Sequence, residues 1–427
     1  MLLECFSSGV MRRRDAGWGV RPCAIYALCA LVLVAPAQAL EIDPNVVPEI
    51  NVGGRAIATV NFHREDRAAA GNERESELDI ADSSLLFGFS KYLFSDNDYG
   101  FAVVGFKLPE DDTDLKDDVY FHELHVGVGG KRYEVKLGRS RLGNTLIQFP
   151  TLRDDDLLTY THVPNGSSNA DAEEYQQFGG VATATWWITP TASVDAGFTA
   201  RTRTDAAGER DSSSDFNGGY LGIAYDAPEA VTVDRGIRYA GLRIDAQDAE
   251  IAGLGLPSER IKAVIGAVSF NLGDNPEATW DLDLQLIAND GVAVPDLASE
   301  VGRSRAKSKA AVMAVRYGHR PALQTRWQFA LNLAWKDYSD FDEASSYVLA
   351  PSYIYRLGSG VEFLAQYSYT DYDATLAAAL GREKKQRISV GLQFAFDHTF
   401  NESVGERKSI LNLEHNTLDF GPAGGGH

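Results

Sequence analysis

The sequence predicts an all-β fold: a transmembrane, antiparallel, up-and-down β-barrel of about sixteen strands, with a long third loop folded into the lumen. Three observations lead there. Segments of about ten residues alternate apolar and polar positions along most of the chain. The connections between these segments alternate between short turns and longer polar loops. A secretory leader precedes the first segment, and no later stretch is apolar for long enough to make a spanning helix.

The leader comes first. Arg12, Arg13 and Arg14 form a basic patch directly after Met11, a candidate start. An apolar run from Ala24 to Ala35 follows, and Ala37-Gln38-Ala39 places small residues where a signal peptidase reads. Residues 1–39 are therefore expected to be a signal peptide, residues 40–400 the barrel, and residues 401–427 a periplasmic tail. All three cysteines (Cys5, Cys23 and Cys29) fall in the leader, so the mature chain is expected to use no disulfide or thiol chemistry. A net charge of −20 speaks against nucleic acid as a partner, but not against a membrane, because acidic loops can face water while another band faces lipid.

The strands follow in order. Between Ile50 and Phe62, even positions carry Gly54, Ala56, Ala58, Val60 and Phe62, and odd ones Asn51, Arg55, Thr59 and Asn61. Near the other end, Trp327, Phe329, Leu331, Leu333 and Trp335 alternate with Arg326, Gln328, Asn332 and Lys336. Ile388, Val390, Leu392, Phe394 and Phe396 alternate with Arg387, Ser389 and Gln393. Such segments centre near residues 56, 86, 103, 124, 136, 181, 197, 222, 241, 267, 283, 313, 330, 351, 366 and 393.

Short turns follow strands two, four, six, ten, twelve and fourteen, for example Gly129-Gly-Lys-Arg and Leu357-Gly-Ser-Gly. Longer polar loops follow odd strands, as at His63–Glu77, Pro109–Asp118, Thr204–Asp215 and Asn289–Lys307. Aromatics beside the turns (Tyr92, Phe94, Tyr99, Phe101, Trp186, Trp187, Tyr353 and Tyr355) suit an interfacial girdle. A soluble antiparallel protein with one wet face would also alternate. The uniform contrast along the whole chain, with no core of doubly apolar strands, favours the membrane barrel, whose closure satisfies every backbone group without water.

The longest break in the rhythm, residues 140–175, follows strand five and holds too many Leu, Ile, Phe and Tyr residues for a solvated tether. Val135-Lys-Leu-Gly-Arg-Ser-Arg-Leu-Gly, just before it, resembles the Gly-Arg element at the end of strand five in the sixteen-stranded general porins of Gram-negative outer membranes. The final strand, with Phe394, Phe396 and Phe400, resembles the aromatic-ended signal read by the barrel assembly machinery. The resemblance covers the architecture of Leu40 to Phe400 and implies that the loop folds inward to make the constriction. It also implies a homotrimer. The chain departs from the family in having Phe149-Pro150-Thr151 where enterobacterial members carry Pro-Glu-Phe-Gly-Gly, and in running on past Phe400.

Read from the residues, Thr151-Leu-Arg-Asp154 makes a relaxed capping box for a short helix ending near Tyr160, with Leu157 and Leu158 against the wall. Asp154, Asp155 and Asp156 crowd its first turn, where they either cap the helix or line the throat. Arg139 and Arg141 sit where strand five feeds the loop, and Arg55 leads a set of inward wall charges that includes Arg243, Arg316, Lys136, Asp283 and Glu362. Opposed charges across a narrow gap would set a transverse field that sorts ions and excludes apolar solutes.

Other chemistries fail on spacing. His122 and His125 fall on opposite faces of a strand, so with Glu123 they make no metal site. Tyr160-Thr-His162-Val-Pro-Asn-Gly-Ser faintly resembles an outer-membrane phospholipase stretch, but Pro164 stands at the nucleophile position. The acidic loop Glu110–Asp118 is either a solvated charge run or a cation bridge to lipopolysaccharide. The expected function is passive diffusion of ions and small hydrophilic solutes, with no enzyme activity, no cofactor and no metal. The expected partners are outer-membrane lipid, lipopolysaccharide and the assembly machinery. The alternative is a barrel acting as a structural sheath or docking partner, which would need an empty lumen.

Overall fold

Alternation with a period of two sends successive side chains to opposite faces of a strand, and the computed structural model closes sixteen such strands into one antiparallel ring. It describes residues 48–67, 71–80, 83–93, 98–107, 120–140, 146–147, 149, 157, 160, 180–204, 210–227, 235–249, 259–275, 278–293, 305–319, 326–358 and 360–400. The chain divides into units Met1–Ile42 and Asp43–His427, and the first lies wholly outside the described residues. The expected leader, the tail 401–427 and the acidic loop 110–118 also lie outside them.

The staves are β1 (Glu49–Arg67), β2 (two runs, Gly71–Asp79 and Ser84–Tyr92), β3 (Tyr99–Lys107), β4 (Tyr120–Gly129), β5 (Tyr133–Ser140), β6 (Gly180–Thr189), β7 (Ala192–Thr204) and β8 (Arg210–Asp226). They continue with β9 (Gly236–Ala249), β10 (Glu259–Asn275), β11 (Ala278–Ala293), β12 (Arg305–His319), β13 (Trp327–Tyr338), β14 (Ser345–Gly358), β15 (Val361–Tyr372) and β16 (Lys384–Phe400). Each pairs with its sequence neighbours, and β16 closes on β1 from Ile50↔Phe400 to Asp66↔Lys384. All sixteen expected centres fall within these staves. β2 splits where its ladder to β1 breaks. There the Ile57 N–H donates to Ser83 Oγ at 3.1 Å, so a side chain replaces the missing backbone acceptor.

Burial is inverted relative to a soluble protein. Inward positions such as Asn51, Thr59, Asn61, Ser269 and Asn332 are buried, whereas Leu286 is 64% exposed, with Val126, Ile223 and Ile244 also among the exposed residues. An exposed apolar band on a closed sheet is stable only against lipid, and closure leaves the ring without the unpaired edge that lipid would penalise. No helix among the described residues is long and apolar enough to cross a membrane. On the short-turn side an aromatic chain runs Trp280–Tyr317–Trp327–Tyr353, with ring centroids 4.6, 5.2 and 6.3 Å apart across β11 to β14. Trp186 on β6, exposed, stacks on Tyr133 of β5 at 6.3 Å. These rings form the expected girdle.

Several sequence expectations are corrected. Phe101 faces inward with Leu86 and Val103, with Tyr99 packed against them, so this pair is no part of the girdle. His63–Glu77 is no long loop: β1 and the upper run of β2 stay paired from Thr59↔Asp79 to Arg67↔Gly71. Strand pairing also takes in Arg210 to Asp215 on β8 and extends β11 to Ala293, shortening two other expected loops. Polar composition at these strand ends reflects their rise beyond the lipid, where pairing persists but outward apolar side chains are no longer needed.

At that far end a helix, α1 (Ala374–Leu380), stops at Gly381, whose φ of 64° lies in the left-handed region where glycine costs least. Leu376 packs with Ala306, Tyr338, Phe341 and Tyr372. Arg382, just past the helix, bonds Glu65 Oε1 at 2.7 Å, Arg67 bonds Glu65 Oε2 at 3.1 Å, and the Glu383 N–H donates to the Asp66 carbonyl at 2.9 Å. Burial pushes the Glu65 carboxyl up, but Arg382, Arg67 and Lys385 together hold it below the usual carboxylate range. This tie is therefore at full strength above the ordinary glutamate value of 4.5 and is lost as pH falls through the lower folded value. We predict that hydrogen exchange at Glu383, corrected for its intrinsic pH dependence, speeds up in the parent as pH falls below the ordinary glutamate value of 4.5, whereas Glu65→Gln is already fast at neutral pH and nearly flat. Equal, pH-independent exchange in both would show that the tie does not depend on this carboxylate.

Candidate functional site: the inner wall and the loop after β5

Strands in a water-filled barrel should be polar inside and apolar outside. Part of this wall breaks that rule. On β12, Ala310, Val312 and Ala314 face inward while Ala311, Met313 and Val315 face outward, so Ala310–Val315 is apolar on both faces. Ala267 on β10, Ala334 on β13, and Val348 and Ala350 on β14 extend the inward apolar surface, with Ile265 and Ile287 beside it.

Five described positions of the loop after β5 lie on that surface. Ile147, Phe149, Leu157 and Tyr160 are buried in one cluster with Tyr239, Ala267, Val312, Ala314, Ala334, Val348 and Ala350, and Leu146 packs at its edge. The backbone N–H groups of Leu146 and Ile147 both donate to Gln285 Oε1, at 3.0 and 3.3 Å. Tyr160 donates its hydroxyl to Ser346 Oγ at 2.9 Å. Leu157 and Tyr160 are helical and three residues apart, so they share one face. Small side chains on the wall let that face approach closely, and the two hydrogen-bonded anchors fix its register. Leu158 and the acids Asp154, Asp155 and Asp156 lie outside the described residues, as does Arg141.

Arg139 is the last residue but one of β5 and pairs with Leu124 of β4. Its neighbour Gly138 has φ of 118°, and a Cβ there would meet the Leu124 carbonyl oxygen at 2.5 Å. Glycine is therefore required at this bend, where the β5–β6 register shifts between Leu137 and Ser140. The glycine of the Gly-Arg pair read from the sequence thus has a backbone cause.

The wall charges divide into two sets. Near the seated loop they are buried and matched. Arg243 bonds Asp245 at 2.6 Å and lies 4.0 Å over the Tyr220 ring. Arg316 bonds Asp283, which also accepts from Ser269 at 2.6 Å, and Arg238 meets Asp281 at 3.2 Å. A buried pair of this kind neutralises itself and adds little field beyond its contact. Arg243 and Arg316 are therefore anchors of the wall, not open pore charges.

The second set is partly exposed. Arg55 on β1 donates to Gln393 Oε1 at 2.9 Å, Gln393 reaches Glu362 at 3.4 Å, and Arg356 bonds Glu362 at 2.9 Å. This chain links β14, β15, β16 and β1. In the ring of sixteen, β1 stands eight staves from β9, on the far side from the β9–β12 part of the loop seat. Lys136 and Glu134 on β5 make another partly exposed pair at 2.8 Å. Arg55 and Glu362 follow from strand parity, whereas Gln285, Gln393 and Arg356 do not stand out as site residues, because their role lies in cross-strand partners. Glu123 and His125 share one inward face, 3.7 Å apart, and no cluster of three metal-binding side chains occurs among the described residues.

No protein-family profile matches the chain, and no curated protein matches it in sequence. Solved structures do. The outer-membrane channel DcaP of Acinetobacter baumannii is similar at a TM-score of 0.53 and 11% identity, over 83% of this chain and 99% of that one. An anion-selective porin from Comamonas acidovorans gives 0.51 and 16%, over 82% and 100%. OprB of Pseudomonas putida gives 0.54 and 8%, over 81% and 94%. At such identities the likeness concerns the fold, which is that of the multi-pass outer-membrane porin barrels.

Gln285 supplies the test of the anchor. Gln285→Leu leaves two N–H donors without their acceptor, a loss of about 1–3 kcal/mol locally. The Leu146 and Ile147 amides should then exchange faster, while the barrel keeps its heat-modifiable migration. Unchanged exchange would show that the loop is held elsewhere.

Proposed function

We propose that the protein is a diffusion porin: a water-filled outer-membrane channel, narrowed by the loop after β5, for ions and small hydrophilic solutes. The observation that carries this reading is the anchoring of Leu146, Ile147, Phe149, Leu157 and Tyr160 to inward side chains of a closed barrel. A loop seated on the β9–β14 wall narrows the lumen from one side and leaves the opposite wall, with Arg55, open to water. Asp154, Asp155 and Asp156 on the loop would then face the Arg55 chain across the throat, with Arg141 close to where the loop leaves β5. A sheath around another protein would need that lumen empty.

Such a channel performs no covalent chemistry and uses no cofactor. Solutes are sorted by width and by the field between loop and wall, which is strong because nearby charges act in a confined, lower-dielectric space. In this reading the leader directs the chain to the periplasm, the assembly machinery recognises the Phe394–Phe396–Phe400 strand, and the chain works as a homotrimer. A solved trimer form of the similar OmpT of Vibrio cholerae, at a TM-score of 0.51 and 13% identity, supports the last point through fold alone.

Ion choice tests the throat. With three clustered acids against one open arginine, the channel is expected to prefer cations modestly, the more so at low salt, where the Debye length reaches about 30 Å at 0.01 M. Reversal potentials across a potassium chloride gradient should show this preference in the parent and a marked drop when Asp154, Asp155 and Asp156 are changed together to Asn. Anion preference in the parent, or no change in the triple variant, would remove these acids from the throat.

A further inference from the structure

A second inward apolar patch lies nearer the short-turn rim than the loop seat. Ile57 on β1, Ala330 on β13, Ile354 on β14 and Leu364 on β15 form one buried cluster, in which Leu364 is 0% exposed. None of the five described loop positions belongs to it. Its height is low: Ala330 stands three residues from Trp327, where β13 begins, and Leu364 three from Val361, where β15 begins. One row of paired residues runs Gln328–Ile354–Leu364–Gly391 from β13 to β16.

Two buried polar side chains flank the patch. Gln328 is 2% exposed beside Ile354, and Ser389 is 1% exposed on the same face of β16 as Gly391. Neither amide atom of Gln328, nor the Ser389 hydroxyl, has a hydrogen-bond partner among the described residues. Buried polar groups are nearly always paired. A wall of this kind suits a cover that brings apolar side chains to Leu364 and Ile354 and its own polar groups to Gln328. An extended peptide does both, because its side chains alternate and its backbone carries donors and acceptors.

The sequence holds such a peptide, and it starts from the right rim. β16 ends at Phe400, paired with Ile50 at the start of β1, and residues 401–427 follow. Leu364 is level with Gly391, nine residues back along β16 from Phe400, or about 30 Å at the rise of a strand. The nine residues Asn401 to Ser409 are mostly polar and span about the same distance when extended. After them comes Ile410-Leu411-Asn412-Leu413.

We propose that the segment after Phe400 turns back into the lumen and docks Ile410–Leu413 on the Ile57–Ala330–Ile354–Leu364 patch, as a reversible plug of the short-turn mouth. Docked there, it lies one inward row from the Arg356–Glu362–Gln393 chain and narrows the exit for solutes. The plug rests on the porin reading for its effect, but its docking can be measured without conduction.

Both tests use the full chain. Leu411→Asn with Leu413→Asn changes only residues beyond the last strand and frees the patch. In neutral detergent, a fluorescent peptide of residues 401–427 should bind this variant with a Kd at or below about 1 mM, the order of local concentration at which a short linker holds its segment. Adding Ile354→Thr with Leu364→Thr should weaken that binding about tenfold; where those wall changes cost the heat-modifiable fold, Leu364→Ala replaces them. No binding, or equal binding with and without the wall changes, would overturn the proposal. In a planar bilayer the parent should show brief closures that the Leu411→Asn, Leu413→Asn variant lacks, and the peptide should restore them from one side of the membrane alone. Closures that persist in this variant and vanish on removal of Asn144 to Asn165 would overturn the proposal by making the loop after β5 the occupant. A conducting parent whose gating the tail changes leave untouched sinks only this inference, whereas peptide docking on a barrel that never conducts sinks only the channel.

Discussion

Everything in this structure depends on satisfying backbone hydrogen bonds where no water is available. Lipid leaves a strand no partner except another strand, so the sheet must close, and the long register between β1 and β16 is the bond that closes it. Closure in turn fixes the two faces. Outward positions become apolar because they meet lipid, and inward positions are free to be polar. Where the ladder is interrupted, as between the two runs of β2, the Ser83 hydroxyl stands in for the absent backbone partner. Beyond the lipid the requirement relaxes, and charged strand ends and α1 take over.

Closure also gives the barrel an inner face, part of which is covered by residues of the loop after β5. The wall from β9 to β14 turns small and apolar just where the loop after β5 arrives, and a single glutamine, Gln285, accepts two of the loop's N–H groups. Charges beside this seat are paired off within the wall, as in Arg243–Asp245 and Arg316–Asp283. Partly exposed charge forms a chain in which Arg356, Glu362 and Arg55 are joined through Gln393 from β14 round to β1, and a separate pair, Lys136 and Glu134, on β5.

Strand number and order were legible in the sequence because lipid enforces a strict period of two, and sixteen predicted centres match sixteen staves. Inward Arg55 and Glu362 were legible for the same reason. Other features were hidden for identifiable causes. The upper pairing of β1 with β2 reads as loop, because strand ends above the lipid carry polar residues on both faces. Phe101 reads as girdle, because an aromatic beside a turn gives no clue to its face unless the strand's register is known. The fates of Arg243 and Arg316 were invisible, because parity gives the face but not the acid on the neighbouring strand. Ala310–Val315, apolar on both faces, was the readable trace of the loop seat: a wall strand needs an inward apolar surface only if something covers it.

The account stands or falls on whether that loop narrows an open channel, and single-channel conductance in a planar bilayer measures this directly. The purified full chain should open in discrete steps, and removal of Asn144 to Asn165 should enlarge each step while lowering ion discrimination. A deletion variant with the parent's step size would contradict a constriction by this loop, and a folded parent that never conducts would contradict the channel itself.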